Sequence, residues 1–154
     1  MSKNITEQSV FGTYFQTENQ VTSALLKILE TDCGGGSLLD EILQRIDEGN
    51  GLPEKTLKIE TQSHIDDTDI HSRPDGLISC NYAFNIYIES KLSDVIKLPQ
   101  LENHKKLIVE DRDERNKLIY ITTHDKRPEI LPQEIIWTNW TTLMNILNDY
   151  QQDV

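Results

Sequence analysis

The sequence predicts a mixed α/β fold, with a central mixed β-sheet flanked by helices. Three observations predict it. Two stretches of helical hydrophobic period open the chain. From Leu57 the period falls to two, through a series of short segments rich in β-branched residues. Helical period then returns after Pro99 and again from Thr141. The expected order is α-α-β-β-β-α-β-β-α, in one domain over 1–154 with residues 1–14 as a flexible lead. A chain of 154 residues that is 36% hydrophobic and 27% charged can bury a core and is too apolar for full disorder.

The first helix is expected to start at Thr17, where Thr17-Glu18-Asn19-Gln20 has the form of a capping box. Val21, Ala24, Leu25, Ile28 and Leu29 follow at helical spacing. Gly34-Gly35-Gly36 ends that region; it follows a helix and lacks a following Lys-Ser/Thr, so it reads as a terminator rather than a phosphate cradle. Ser37 opens a second helix with Leu38, Leu39, Ile42, Leu43 and Ile46 on its apolar side. Gly49 to Pro53 breaks it.

Leu57 to Thr61 alternates as a strand. Residues 64–72 are polar and acidic. His64, Asp66, Asp67, Asp69 and His71 match neither a zinc site nor an EF-hand, and a solvated loop is expected. Arg73 to Cys80 and Phe84 to Lys91 read as a hairpin turning near Asn81-Tyr82. Pro99 suits the first turn of a third helix running towards Asp111. Lys117 to Thr123 and Glu134 to Trp137 are the last strands. Thr141 to Tyr150 is the last helix, with Leu143, Ile146, Leu147 and Tyr150 in register. Trp137 and Trp140 are expected to pack strand and helix against the core.

The charge restricts the partners. Formal net charge is −11: residues 1–70 hold 13 acids and 5 bases, and residues 71–154 hold 13 acids and 10 bases. Such acidity repels a phosphate backbone, so a nucleic-acid reading must account for it. No apolar run approaches the roughly 20 residues of a membrane span, and the first eight residues have no signal-peptide core. The expectation is a cytoplasmic protein without membrane attachment, in which Cys33 and Cys80 are reduced, buried thiols.

The chemically informative stretch is Arg73-Pro74-Asp75-Gly76-Leu77-Ile78 followed by Ile86-Tyr87-Ile88-Glu89-Ser90-Lys91. Strand alternation puts Glu89 and Lys91 on one face, and hairpin pairing can bring Asp75 beside Glu89. Two adjacent carboxylates repel, and a hard divalent cation such as Mg²⁺ or Mn²⁺ relieves that repulsion. The same three residues could instead form a structural ion-pair group on a sheet face.

Pro74-Asp75, thirteen residues, then Glu89-Ser90-Lys91 resembles the motif of the PD-(D/E)XK nuclease superfamily, and the order of elements from Thr17 to Tyr150 is similar to its restriction-endonuclease-like core. The resemblance implies a Mg²⁺- or Mn²⁺-dependent phosphodiesterase acting on nucleic acid, with DNA as the expected substrate, in DNA processing or defence against foreign DNA. It implies metal ligation by Asp75, Glu89 and the Ser90 backbone carbonyl, with Glu18 on the first helix binding directly or through water. Lys91 would orient or deprotonate the attacking water, and Gln100 would position Lys91 or a phosphate oxygen. Some members carry Tyr four residues after that Gln; His104 stands there in this chain.

Each assignment has a plainer counterpart. An acid in the first turn of a helix complements the helix dipole, which would explain Glu18 without a metal. Gln100 and His104 share a helical face and could be solvated. The acidity would be offset by Arg73, Lys91, Lys97, Lys105 and Lys106, by the cation, and by a homodimer or a protein partner that supplies substrate binding. The alternative function is a catalytically silent nuclease-fold module that meets a protein partner through its acidic surface.

Overall fold

The computed structural model describes residues 14–31, 37–52, 59–63, 74–80, 84–91, 96, 98–109 and 116–152. Side chains at 14–19, 62–63, 98–99, 107–109 and 151–152 are outside that description. The elements are α1 (Tyr14–Glu30), α2 (Ser37–Ile46), β1 (Ile59–Ser63), β2 (Gly76–Cys80), β3 (Phe84–Ser90), α3 (Leu98–Val109), β4 (Lys117–Thr122), β5 (Ile136–Asn139) and α4 (Trp140–Gln152). The order is the expected one. The fold is α/β, with a five-stranded mixed open sheet and four helices.

The strands lie side by side in chain order, β1-β2-β3-β4-β5. β2 pairs antiparallel with both β1 and β3, while β4 adds parallel to β3 and β5 parallel to β4. The expected hairpin is therefore present, although its turn lies outside the described residues. Pairing changes from antiparallel to parallel after β3 because α3 carries the chain back before β4 begins, as a parallel connection requires.

The two faces are covered unequally. Ile78, Ile86, Ile88, Ile119, Ile121 and Ile136 point to one face, where α1, α2 and α4 bury Leu25, Leu26, Leu29, Leu39, Leu43, Leu143 and Ile146 against them. Tyr87, Leu118 and Tyr120 point to the other, where they meet Leu101 of α3 with Leu131 and Ile135. The apolar side read for α2 is the one buried. Trp137 and Trp140 pack on opposite faces, each against the core on its side.

Three sequence expectations shift. α1 begins at Tyr14, so Thr17 lies inside the helix and does not cap it. Tyr14, Phe15 and Gln16 contain no breaker, so a helix can run back through a Thr-x-x-Gln pattern that elsewhere marks a start. Its buried face is Thr22, Leu25, Leu26 and Leu29, while Ala24 and Ile28 are exposed, the latter by 45%. The helix is thus turned by about one residue, roughly 100°, from the stripe its apolar residues suggest.

β1 is described over Ile59–Ser63, pairs along the whole of β2 and so runs two residues past the expected end at Thr61, while Leu57 and Lys58 of the expected strand lie outside the described residues. β5 covers 136–139 rather than 134–137. The Arg127 guanidinium donates to the carbonyls of Pro132 at 2.5 Å and Ile135 at 2.8 Å, and the Ile135 amide donates back to Pro132 O. Those bonds commit 132–135 to a turn, and the strand starts after it. The Asn139 side chain then accepts from the Thr142 amide at 2.8 Å and caps α4 directly from the strand end.

The flexible lead at 1–14 falls outside the described residues except for Tyr14, which is helical. The triple glycine, the acidic loop at 64–72, Cys33, Arg73 and Lys97 also lie outside them. Cys80 is a buried thiol. Among the described residues, no helix is long and apolar enough to cross a membrane.

Candidate functional site

The motif residues meet where β2 begins and β3 ends. The last β2–β3 pair is Gly76 with Ile88. One further step of that register sets Asp75 opposite Glu89, and opposed residues share a face. The β3–β4 register sets Glu89 beside Tyr120, and the β4–β5 register sets Tyr120 beside Trp137. Asp75, Glu89, Tyr120 and Trp137 therefore form one row across the sheet, on the side covered by α3.

Asp75 is anchored. Its Oδ2 accepts from the Ser90 amide at 2.9 Å and from the Ser90 hydroxyl at 3.2 Å. Where β2 has stopped, the carboxylate takes over as partner of the Ser90 amide. Ser90 points to the opposite face, where its Oγ lies 2.5 Å from Thr22 Oγ1 of α1. α1 comes this close because position 76 is glycine: a Cβ there would stand 2.9 Å from Leu26 Cδ1 and 3.2 Å from Thr22 Cγ2.

Glu89 is 1% exposed. Its Oε2 lies 3.4 Å from Nδ1 of His104, which is also buried. The same Nδ1 is 2.5 Å from the Tyr120 hydroxyl. Burial drives the Tyr120 pKa well above the ordinary phenol range, and the negative charges of Glu89 and Asp75 push it further in that direction. Tyr120 is therefore a neutral phenol, and both carboxylates lie close enough for their fields to act on it.

Lys91 follows β3 and is tied at both ends. Its amide donates to Ile121 O at 2.8 Å, and its ammonium donates to Gln100 Oε1 at 2.9 Å. Gln100 and His104 are one turn apart on α3, so this single helix supplies the neighbours of both Lys91 and Glu89. The solvated reading of His104 fails, since the ring is fully buried. Gln100 is half-buried.

Glu18 stands on α1 one turn before Thr22, and its side chain lies outside the described residues. Because α1 starts at Tyr14, Glu18 is not in the first turn, where the dipole acts. The dipole explanation loses its basis. Of the bases expected to flank the site, Lys105 and Lys106 lie further along α3, half-buried and exposed respectively.

The donor set suits a hard cation. Asp75 places both of its hydrogen bonds on Oδ2, which leaves Oδ1 for a ligand. Asp75, Glu89 and the Ser90 carbonyl are oxygen donors on adjacent strand ends. Among the described residues, no group of three or more His, Cys, Asp and Glu could hold a metal ion. Two carboxylates are nevertheless what Mg²⁺ commonly takes from a protein, with water completing its shell. No protein-family model, curated protein or solved structure matches the chain.

Two participants were missed in the sequence. Thr22 is a polar residue at a core position of an amphipathic helix, and that anomaly was visible. Tyr120 carried no signal, because its place beside Glu89 depends on the parallel register of β3 with β4.

Proposed function

We propose that this chain is a Mg²⁺-dependent phosphodiester hydrolase of the PD-(D/E)XK type, with a restriction-endonuclease-like fold, acting in the cytoplasm on nucleic acid, with DNA the expected substrate. The observation that carries the reading is the Ser90 clamp on Asp75, which holds one carboxylate at the end of β3 next to Glu89 and within one residue of Lys91. A stretch of sequence that resembles a nuclease motif is thereby gathered at one point of the fold.

Asp75, Glu89 and the Ser90 carbonyl would hold the cation, with Glu18 reached from α1. A bound Mg²⁺ or Mn²⁺ supplies Lewis acidity towards the phosphoryl oxygens and lowers the pKa of a bound water. As an ammonium Lys91 would orient the water, and only as a neutral amine would it take the water's proton; Gln100 holds its Nζ in place by accepting a hydrogen bond from it. His104 and Tyr120 fill the space behind Glu89. A net charge of −11 gives weak affinity for DNA unless a second copy or a protein partner adds positive surface.

Calorimetric titration of Mn²⁺ and Mg²⁺ into the wild type and the Asp75→Ala/Glu89→Ala double mutant tests the site. The wild type is expected to bind and the double mutant to lose binding. Linear, circular and single-stranded DNA then test the reaction. Lys91→Ala is expected to slow cleavage by about 10²- to 10⁴-fold, the usual worth of a general base. Undiminished cleavage by Lys91→Ala sinks the assignment.

A second reading has its own support. His104 already stands beside Glu89 as a potential counter-charge, and the protein is strongly acidic. A catalytically silent module that binds a basic protein would have both features. Absence of metal binding in the presence of DNA, together with a salt-sensitive complex with a basic protein, would favour it.

A further inference from the structure

We propose that Thr22 and the Ser90 side chain are positioning residues: they form a hydroxyl relay that fixes the orientation of the Asp75 carboxylate. The inference rests on the metal-dependent reading for its functional consequence, but the relay itself is a matter of hydrogen bonding.

The direction of the relay follows from what each group can give. An ionised carboxylate only accepts. Ser90 therefore donates its single hydroxyl proton to Asp75 Oδ2 at 3.2 Å, alongside its amide proton at 2.9 Å. The Ser90 oxygen then has only lone pairs for Thr22, so Thr22 is the donor across the 2.5 Å contact. Thr22 and Ser90 are buried, and solvent cannot compete for these bonds.

The relay does more than satisfy two buried hydroxyls. Both Ser90 donors converge on one oxygen of Asp75. That fixes the rotation of the carboxylate and turns Oδ1 away from Ser90. Thr22 in turn ties α1 to the end of β3. Thr22 lies on the buried face of α1, and position 18, one turn earlier, is on the same side of the helix. A threonine in a leucine stripe, a serine between Glu89 and Lys91 and a glycine at 76 are thus parts of one arrangement.

The test uses Ser90→Ala, Thr22→Val, the double variant and Thr22→Ser, each followed by Mn²⁺ calorimetry, thermal melting and the metal-free amide spectrum. Thr22→Val keeps shape and removes only the donor. Ser90→Ala is expected to weaken Mn²⁺ binding about tenfold, the lower end for residues that orient metal ligands. Thr22→Val weakens it less, and Thr22→Ser restores it. The double variant should match Ser90→Ala within about twofold, because Thr22 acts only through Ser90. In the metal-free protein, the Ser90 amide resonance should move in Thr22→Val.

Variants that melt earlier but bind Mn²⁺ within twofold of wild type would overturn the proposal. So would a Ser90 amide that does not respond to Thr22→Val. A wild type that binds no Mn²⁺, with the Ser90 amide still responding, would leave the relay standing and remove the phosphodiesterase reading.

Discussion

The two faces of the sheet are built by different rules. The face under α1, α2 and α4 is a continuous aliphatic core, dominated by Leu and Ile. The face under α3 holds a smaller cluster, and buries Glu89, His104 and Tyr120 within it. An aliphatic layer gains stability from area removed from water, and polar groups there cost free energy unless satisfied. Three helices secure the sheet from one side. The other side can then carry a carboxylate, an imidazole and a phenol at the expense of some stability. The buried polar groups sit on the face with the smaller apolar cluster.

Breaking the aliphatic face gives the largest expected effect. Leu43 is fully buried, and Leu43→Ala should lower stability by about 2–5 kcal/mol in urea unfolding. A change under 1 kcal/mol would mean that this face is not the main support. Gly76→Ala comes next. Its Cβ meets Leu26 and Thr22, and overpacking of this kind costs about 1–3 kcal/mol. It strikes the aliphatic face beside the Thr22–Ser90 contact, so Mn²⁺ binding should fall along with the melting temperature.

Tyr120→Phe sharpens the comparison from the other side. It leaves His104 without the phenol hydroxyl, for a loss of about 1–3 kcal/mol near neutral pH. Its pH dependence has a definite sign. The folded pKa of Tyr120 is raised, so the neutral phenol's stabilisation is complete below about pH 10, the ordinary value, and declines as pH rises beyond it. The stability gap between wild type and Tyr120→Phe should shrink above pH 10, as measured by denaturation between pH 8 and 11. The smallest effect belongs to Arg45, whose ion pairs with Glu41 and Asp149 lie on the exposed surface. Arg45→Ala should leave the urea midpoint unchanged within error.

The elements were readable from hydrophobic period because most of them face the aliphatic layer. α2 and α4 bury the residues their patterns select, and the hairpin follows from two apolar strands around a short turn. α1 was misread in rotation because Thr22 carries a hydroxyl, which counts against a core position until Ser90 is seen beside it. The start of β5 depends on Arg127 bonding to two carbonyls, a contact that no periodicity encodes. At the candidate site, Asp75, Glu89 and Lys91 were readable as a local motif. Gln100 lies near in sequence, and its bond to Lys91 needed only α3 in place. Thr22 is 68 residues from Ser90, and Tyr120 reaches Glu89 only through strand register. Local chemistry was visible in the sequence, and chemistry assembled across the sheet was not.

The strand order has a consequence for how the chain acquires its shape. Since every strand lies beside its successor, each can join an edge that already exists, and no strand has to be threaded between two others. Neighbour-to-neighbour growth keeps the entropy of loop closure small at every step. Asp75, Glu89, Lys91 and Gln100 all precede β4. During synthesis these side chains leave the ribosome before the strand that brings Tyr120 beside Glu89 exists. The acidic end of β3 is therefore synthesised before the strand that flanks it.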